Sequence, residues 1–536
     1  MAYADVKDII LQVVREIKND FNYYALISKV SELLEYLNVS PSDREYAYQI
    51  IDACADDIDD IQLRMFFYSI LMQMPICLVK NNIALEKSVN TLLDSKKLPP
   101  KERFVYFYEL SYRVFITPAL QTNENKLYLW KLYNSIIKEY HDAIWSDYAF
   151  PYINKDKRKK DFYVVITDQI LYEEHGPTKS TLDRCRALIA TGKNVLLINT
   201  GEMCFNNNPV LFYGFFSADH RDELDNKDNI YYKGYNIPFC QIGKGVMDAQ
   251  RLREYMQIIY DYSPDMVIDI GGNTLLGNIC NYFIPVLAVT LGPDNLVRTT
   301  EKWQTIGRKL NDNDRYILNK IGYPEDKVIE IVMTFECKEQ SINLSKSELG
   351  MQEDEFEVVI VGGRLDSEVG PDFLEMMRKA VRKIDNICFN FCGRFNKYEK
   401  MIGEDPVLSK RSRFLGTQSD MMAVLDNIDL YVNPIRLGGG TSAQEAMLKG
   451  VPVVTCRTGD VYANCHDDFA VDDYDEMINV IERYVNDIDY YKEQSEKARR
   501  LGELEHDTIG EFSRIIEECH KRDDDNYFRN TGVYPD

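Results

Sequence analysis

The stretch Asp429–Thr455, which reads DLYVNPIRLGGGTSAQEAMLKGVPVVT, decides the fold of this chain. Its apolar run Leu430–Val432 is typical of a buried strand. A glycine loop, Gly438–Ser442, follows, and the segment Ala443–Lys449 then has the composition of a helix. A second apolar run, Val451–Thr455, predicts another strand. The stretch therefore predicts a β-loop-α-β unit of a parallel sheet.

The loop of this unit predicts an anion-binding site. Its residues are Gly438, Gly439, Gly440, Thr441 and Ser442. Glycine lets the backbone approach a ligand closely, and the N–H groups and dipole of a following helix favour phosphate. Glu445 lies within the first turns after the loop, where an acid suits a ribose hydroxyl better than a phosphate.

The segment Gly439–Thr455 resembles, without a gap, the donor-site loop of GT-B glycosyltransferases of the O-GlcNAc-transferase-like group. That group includes the bacterial HMW-type adhesin N-glucosyltransferases. The resemblance implies that Thr441 and Ser442 contact the diphosphate of a nucleotide sugar and that Glu445 contacts its ribose. Gly440 stands where that group has a histidine.

The sequence pattern P-x-R-x-GGGT, from Pro434 to Thr441, also resembles polysaccharide-type retaining glycosyltransferases. Those enzymes have an earlier glutamate in the loop, and Leu437 stands at its place here. The shared fold is thus better supported than either family.

A second part of the donor signature is the strand Phe356–Val361 and the Gly362-Gly363-Arg364 that ends it. In GT-B enzymes an arginine at this place commonly neutralises the diphosphate. Many also have a lysine a few residues later, but Glu368-Val369 occupies that place. Arg364 and Arg436 are therefore the expected diphosphate ligands, together with the backbone of Gly363.

Another β-loop-α-β pattern comes earlier in the chain. Strand-type runs at Phe162–Thr167 and Asn194–Asn199 flank a predicted loop, Glu173–Ser180, and a predicted helix, Thr181–Thr191. His175 lies in that loop, which in GT-B enzymes faces the cleft between the two domains. A histidine there is a candidate general base for an acceptor hydroxyl, with an ordinary surface histidine as the alternative.

Asp294 is the second candidate for the acceptor side. It follows the predicted strand Pro285–Thr290, in a passage that resembles the O-GlcNAc-transferase-like group but lacks its histidine. The alternative role of Asp294 is to cap the segment that follows it.

The 536 residues predict several domains. The helical periodicity predicts an all-α fold over 1–155, and the resemblance implies an α/β GT-B fold for the rest. We expect an N-terminal Rossmann-like, acceptor-side domain over 160–340, a C-terminal Rossmann-like donor domain over 350–515 and a tail over 516–536. The helical domain is either a cap on the enzyme or a docking surface for an acceptor protein.

The net charge of −23 argues against nucleic acid as a partner. The N-terminus lacks a signal-peptide pattern, and no apolar run is long enough for a transmembrane segment. The 12 cysteines have no CxxC spacing, so we expect a reducing, cytoplasmic location and no metal site.

The resemblance to GT-B enzymes implies a metal-independent hexosyl or N-acetylhexosaminyl transferase. It would move a sugar from a nucleotide-diphosphate sugar, with UDP preferred, to an acceptor, with protein side chains preferred over glycans. The donor is a co-substrate, and no resident cofactor is expected. The alternatives are a retaining polysaccharide or glycolipid transferase, a sugar-nucleotide epimerase and an inactive GT-B partner that stabilises an active subunit. The sugar, the stereochemical outcome and a homo- or hetero-oligomeric state stay open.

Overall fold

The computed structural model describes residues 8, 11–12, 14–15, 23–95, 98–172, 175–202, 220–243, 247–292, 296–335 and 337–524. Within these ranges a helical region precedes two α/β lobes, each built on a mostly parallel sheet. The predicted order of an all-α region and two Rossmann-like units is confirmed.

The helical region consists of long helices joined by short turns. Its helices are α1 (Tyr23–Val39), α2 (Pro41–Asp56), α3 (Ile61–Gln73), α4 (Leu78–Asp94), α5 (Pro100–Ile116) and α6 (Asn123–Asp147). Two of them begin with proline, whose missing N–H would have no partner in a first turn anyway. The side chain of Asp60 caps α3 by accepting from the N–H of Leu63, and Thr122 caps α6 in the same way.

The first lobe contains an eight-stranded sheet in the described residues, in the order β3-β4-β2-β1-β5-β6-β7-β8. Its elements are β1 (Lys159–Thr167), α7 (Gly176–Ala190), β2 (Asn194–Asn199), β3 (Asn229–Tyr232), β4 (Tyr235–Gln241), α8 (Ala249–Tyr262), β5 (Pro264–Ile270), α9 (Leu275–Cys280), β6 (Val286–Val289), β7 (Trp303–Ile306), α10 (Asp312–Ile321) and β8 (Val328–Glu330). Strand β3 pairs antiparallel with β4, and the other recorded pairs are parallel.

The helical region covers one face of the first sheet. Successive side chains of a strand point to opposite faces, so Val164 and Ile166 of β1 join a core shared with the helical region, including Tyr133. Tyr163 and Val165 point to the other face, which forms a separate core. The helical region and the first lobe therefore share a hydrophobic core.

The second lobe has a six-stranded sheet in the described residues, in the order β11-β10-β9-β12-β13-β14. Its elements are β9 (Phe356–Gly362), α11 (Leu365–Glu368), α12 (Pro371–Lys383), β10 (Ile387–Gly393), β11 (Ser412–Gly416), α13 (Met421–Leu425), β12 (Leu430–Val432), α14 (Gly440–Leu448), β13 (Val453–Cys456), α15 (Gly459–Cys465), β14 (Ala470–Val471), α16 (Tyr474–Asn486) and α17 (Ile488–Leu504). Helix α14 begins at Gly440 instead of Ala443, because the end of the glycine loop forms its first turn.

The last described helix, α18 (Thr508–Lys521), returns to the first lobe. Phe512, Ile515 and Ile516 belong to the core that also holds Tyr163. The domain boundary expected at residue 515 therefore falls inside this helix. By its packing, α18 is part of the first lobe.

Candidate functional site

The glycine loop leaves β12 and enters α14 through a left-handed backbone turn. Gly439 is the N-cap of α14 and has φ +103°, a conformation that residues with a Cβ avoid. A Cβ at Gly439 would lie 2.5 Å from Nη2 of Arg436. The backbone N–H of Asp460, on α15, donates to the carbonyl of Leu437 at 2.7 Å. The loop is thus held between an arginine and a neighbouring helix, with the N-terminus of α14 at its end.

The two hydroxyls after the loop have different surroundings. Ser442 donates to the carbonyl of Gly439 at 3.0 Å and lies 2.9 Å from the hydroxyl of Tyr431. Within the described part of the chain, Thr441 makes no side-chain hydrogen bond. Thr441 is therefore the freer of the two predicted phosphate ligands.

Arg436 is buried beneath the loop, with a relative exposure of 5%. Its Nε donates to Asn433 at 2.7 Å, and its Nη1 donates to Glu368 at 2.7 Å. Its Nη2 donates to the carbonyl of Val361 at 2.6 Å and to the hydroxyl of Tyr431 at 3.1 Å. All three guanidinium nitrogens are thus engaged within the protein. We interpret Arg436 as a structural support of the loop, and its predicted contact with the diphosphate stays a hypothesis.

Arg364 lies above the loop and is accessible. Half of its side chain is exposed, and its Nη2 would lie 3.0 Å from a Cβ at Gly438. It pairs with Glu368 at 3.2 Å, so that carboxylate faces both arginines of the site. The guanidinium carbon also lies 5.9 Å from the ring centre of Phe115, at the end of α5. The helical region thus reaches the predicted donor site.

Glu445 points from α14 toward the first lobe. Its Oε1 lies 3.7 Å from Nζ of Lys179, and the two side chains are only 12% and 16% exposed. Burial raises the pKa of the Glu445 carboxyl, and the charge of Lys179 opposes this effect. The lobes also come into contact at Gly292 of the first lobe, where an added Cβ would lie 3.3 Å from Oδ1 of Asp460 in the second lobe. We call the surroundings of these two contacts the interlobe junction.

His175 is at the start of α7, four residues before Lys179. The expected loop over 173–180 is wrong in its second half, because Pro177 allows the helix to begin at Gly176. Residues four apart lie on one face of a helix, so His175 lies near the face that carries Lys179. Its Nδ1 is 3.1 Å from Oγ1 of Thr178, and burial lowers the pKa of the imidazole. Asp294, the other predicted candidate, lies outside the described residues.

Sequence reasoning missed a group of buried acids in the first lobe. Asp168 directly follows β1 and accepts a hydrogen bond of 3.0 Å from Tyr108 of α5. Burial raises the pKa of Asp168 to about 7 and that of Glu202 to about 8. Glu202 accepts from the N–H groups that begin α9, so it has a structural task. The position of Asp168, one residue beyond an apolar strand, was the signal in the sequence that could have identified it.

Two groups of possible metal ligands come close together in the described residues, and one of them contains His220, Asp222 and Asp225. Glu355, Glu357 and Cys388 come close together, but Arg413 pairs with both carboxylates. A guanidinium in that place supplies the positive charge that an ion would bring.

Comparison with known proteins supports the fold. Residues 355–487 match the family "Glycosyl transferases group 1". A mutant of the O-GlcNAc transferase from Thermobaculum terrenum is similar to the chain with a TM-score of 0.53 and 14% identity, covering 97% of this chain and 98% of that one. Comparison with proteins of curated function gave no significant match.

Two further solved structures have lower TM-scores. A glycosyltransferase from Rickettsia africae gives 0.48 at 13% identity, covering 68% of this chain and 99% of that one. A mutant of S. aureus TarM, in complex with fondaparinux, α-GlcNAc-glycerol and UDP, gives 0.45 at 12% identity, with coverage of 69% and 100%.

The chain has the fold of the GT-B glycosyltransferases, and residues 355–487 of its second lobe match the glycosyl transferases group 1 domain. The glycine loop, Arg364 and Glu445 all lie within the matched residues. None of the helices in the described ranges combines the length and the apolar character that crossing a bilayer requires.

Proposed function

We propose that the protein transfers a sugar from a nucleotide-diphosphate sugar, with UDP as the nucleotide, to a side chain of an acceptor protein. The observation that carries this proposal is the glycine loop that runs into α14 with Glu445 on the same helix. In this arrangement the N–H groups at Gly440 and Thr441 receive the diphosphate, and Glu445 receives the ribose hydroxyls.

On the diphosphate side, Arg364 and the hydroxyls of Thr441 and Ser442 supply further donors. A leaving diphosphate gains negative charge as the sugar departs, so fixed donors at its oxygens lower the barrier. Gly363 and Gly438 leave room for the phosphates beside Arg364. Arg436 acts indirectly, by holding Gly439 and Tyr431 in place.

On the acceptor side, His175 is the proposed general base. In the tautomer whose Nδ1–H donates to Thr178, the lone pair is on Nε2 and accepts the acceptor's proton. A lowered pKa keeps the imidazole neutral near pH 7, as a base must be. Asp294 is the alternative base. The exposed Phe115 and Ile116, beside Arg364, make the end of α5 the proposed contact for an acceptor protein.

A calorimetric titration of UDP in EDTA tests the donor site. We expect wild-type protein to bind UDP and Glu445→Ala to bind it more weakly by about 1–3 kcal/mol, the cost of a lost charge-assisted hydrogen bond. The matched control is Asp475→Ala, which removes an exposed acid paired with Lys379 on the surface of the same lobe. Retained binding in EDTA would support the proposed independence from metal. Failure of the wild type to bind any nucleoside diphosphate would refute the transferase proposal.

The second candidate is an inactive partner subunit. It is favoured by Glu368, which stands where many GT-B enzymes have a lysine and which engages both arginines of the site. Incubation with UDP-sugars and candidate acceptors separates the two proposals. UDP binding without hydrolysis or transfer of any sugar would favour the partner role.

A further inference from the structure

The second lobe supplies little positive charge to the proposed diphosphate position. Among the described residues, the cations that border the glycine loop are Arg364 and Arg436. Arg436 has its three nitrogens engaged, and Glu368 accepts from both arginines. Two positive charges beside one negative charge leave a net single positive charge facing a group that carries at least two negative charges.

Lys179 of the first lobe is placed to make up this difference. It lies in the first turn of α7, where the helix dipole disfavours a cation. An anion opposite is therefore needed to stabilise it there, and in this structure that anion is Glu445 at 3.7 Å. This distance is too long for a hydrogen bond. The ammonium of Lys179 thus faces the carboxylate of Glu445, the proposed ribose ligand, across the interlobe junction without a hydrogen bond to it.

We propose that Lys179 is a donor-site residue, which contacts the phosphate next to the ribose when the nucleotide is bound. The inference rests on the proposed function and adds to it a ligand from the opposite lobe. Ribose hydroxyls donate to Glu445 and take the place of its ionic partner. The flexible stem of Lys179 then brings the ammonium to the adjoining phosphate.

This arrangement makes the donor a link between the lobes. Glu445 and the helix N-terminus bind it from the second lobe, and Lys179 binds it from the first. His175 is one helical turn before Lys179, so the same contact orders the start of α7 beside the proposed base. A nucleoside without phosphate would occupy Glu445 and leave this link unmade.

The test compares uridine, UMP and UDP as ligands of the full-length protein. The variants are Lys179→Met, Lys179→Arg and the control Lys193→Met. Lys193 directly precedes β2, at the end of the strands opposite to the start of α7, and pairs with Asp161 on the surface. We expect Lys179→Met to lose at least about tenfold in affinity for UDP and UMP, with uridine unchanged or bound more tightly. Lys179→Arg should stay within a few-fold of wild type, and Lys193→Met should equal it.

A second arm separates a phosphate contact from an effect on Glu445 alone. Lys179→Met is combined with Glu445→Gln, which has no charge for Lys179 to neutralise. The UDP loss caused by Lys179→Met should persist in that background. Its disappearance there, or an equal loss for uridine and UDP, would overturn the inference while leaving the donor site intact. Absence of UDP binding by the wild type would instead refute the proposed function.

Discussion

Replacing Arg436 by methionine tests whether this residue supports the loop or binds the donor. The substitution removes four hydrogen bonds and the buried partner of Glu368, whose side chain is 10% exposed. Loss of one partner of a buried ion pair costs about 3–5 kcal/mol, because the other charge stays buried. Arg364 still pairs with Glu368 at 3.2 Å, so we expect the lower end of that range.

Hydrogen exchange is the appropriate assay, because it reports each part of the chain separately. The protein has three tryptophans, Trp130, Trp145 and Trp303, and all lie before the second lobe. Their fluorescence therefore follows the helical region and the first lobe. A loss of about 3 kcal/mol corresponds to amide protection about a hundredfold or more lower in β12 and α14. Protection in β1 should change much less.

The matched control is Arg364→Met, which removes the other arginine that pairs with Glu368. Half of this side chain is exposed, so its ion pair contributes less than about 1 kcal/mol to stability. We expect unchanged protection in α14 and weaker UDP binding. The interpretation of Arg436 would be refuted if Arg436→Met kept wild-type protection in β12 and α14 but abolished UDP binding.

Two further predictions concern backbone geometry and pH. Gly439→Ala should weaken UDP binding at least tenfold, since its φ is +103° and its Cβ would meet Arg436, whereas Gly370→Ala in the same lobe has open space and should bind as wild type. Asp168→Asn should change the pH dependence of stability. Burial raises the pKa of Asp168 from its ordinary value of 3.8 to about 7, so the folded protein keeps a proton that the unfolded chain releases. The contribution of protonated Asp168 to the free energy of unfolding is complete below pH 3.8. It is lost as the pH rises to 7, by at most about 1.4 kcal/mol per pH unit. Denaturation at pH 5, 6 and 7 should show no such loss in the unfolding free energy of Asp168→Asn, in which the amide oxygen still accepts the hydrogen bond of Tyr108. An equal decline of unfolding free energy with pH in both proteins would contradict this prediction.

The sequence by itself determined the elements of the site. The apolar runs of β1, β2, β9 and β12 are nearly continuous because both faces of these strands are buried, so their positions could be predicted from hydrophobicity. Strand β1 begins three residues before its apolar run, with the exposed residues Lys159–Asp161. The glycines after β12 indicated a loop that approaches a ligand, and in the structure that loop contains a left-handed turn at Gly439. These features depend on local chemistry, so they can be inferred from residues that are neighbours in the sequence.

Only the tertiary structure decided what each charged side chain contacts. Arg364 and Arg436 are equal candidates in the sequence, yet one is half exposed and the other is buried under the loop. Lys179 drew no attention in the sequence, because its partner Glu445 is 266 residues away and belongs to the other lobe. Charges act through space over a few ångströms, and the distance between two side chains is fixed by how the lobes pack rather than by their separation along the chain.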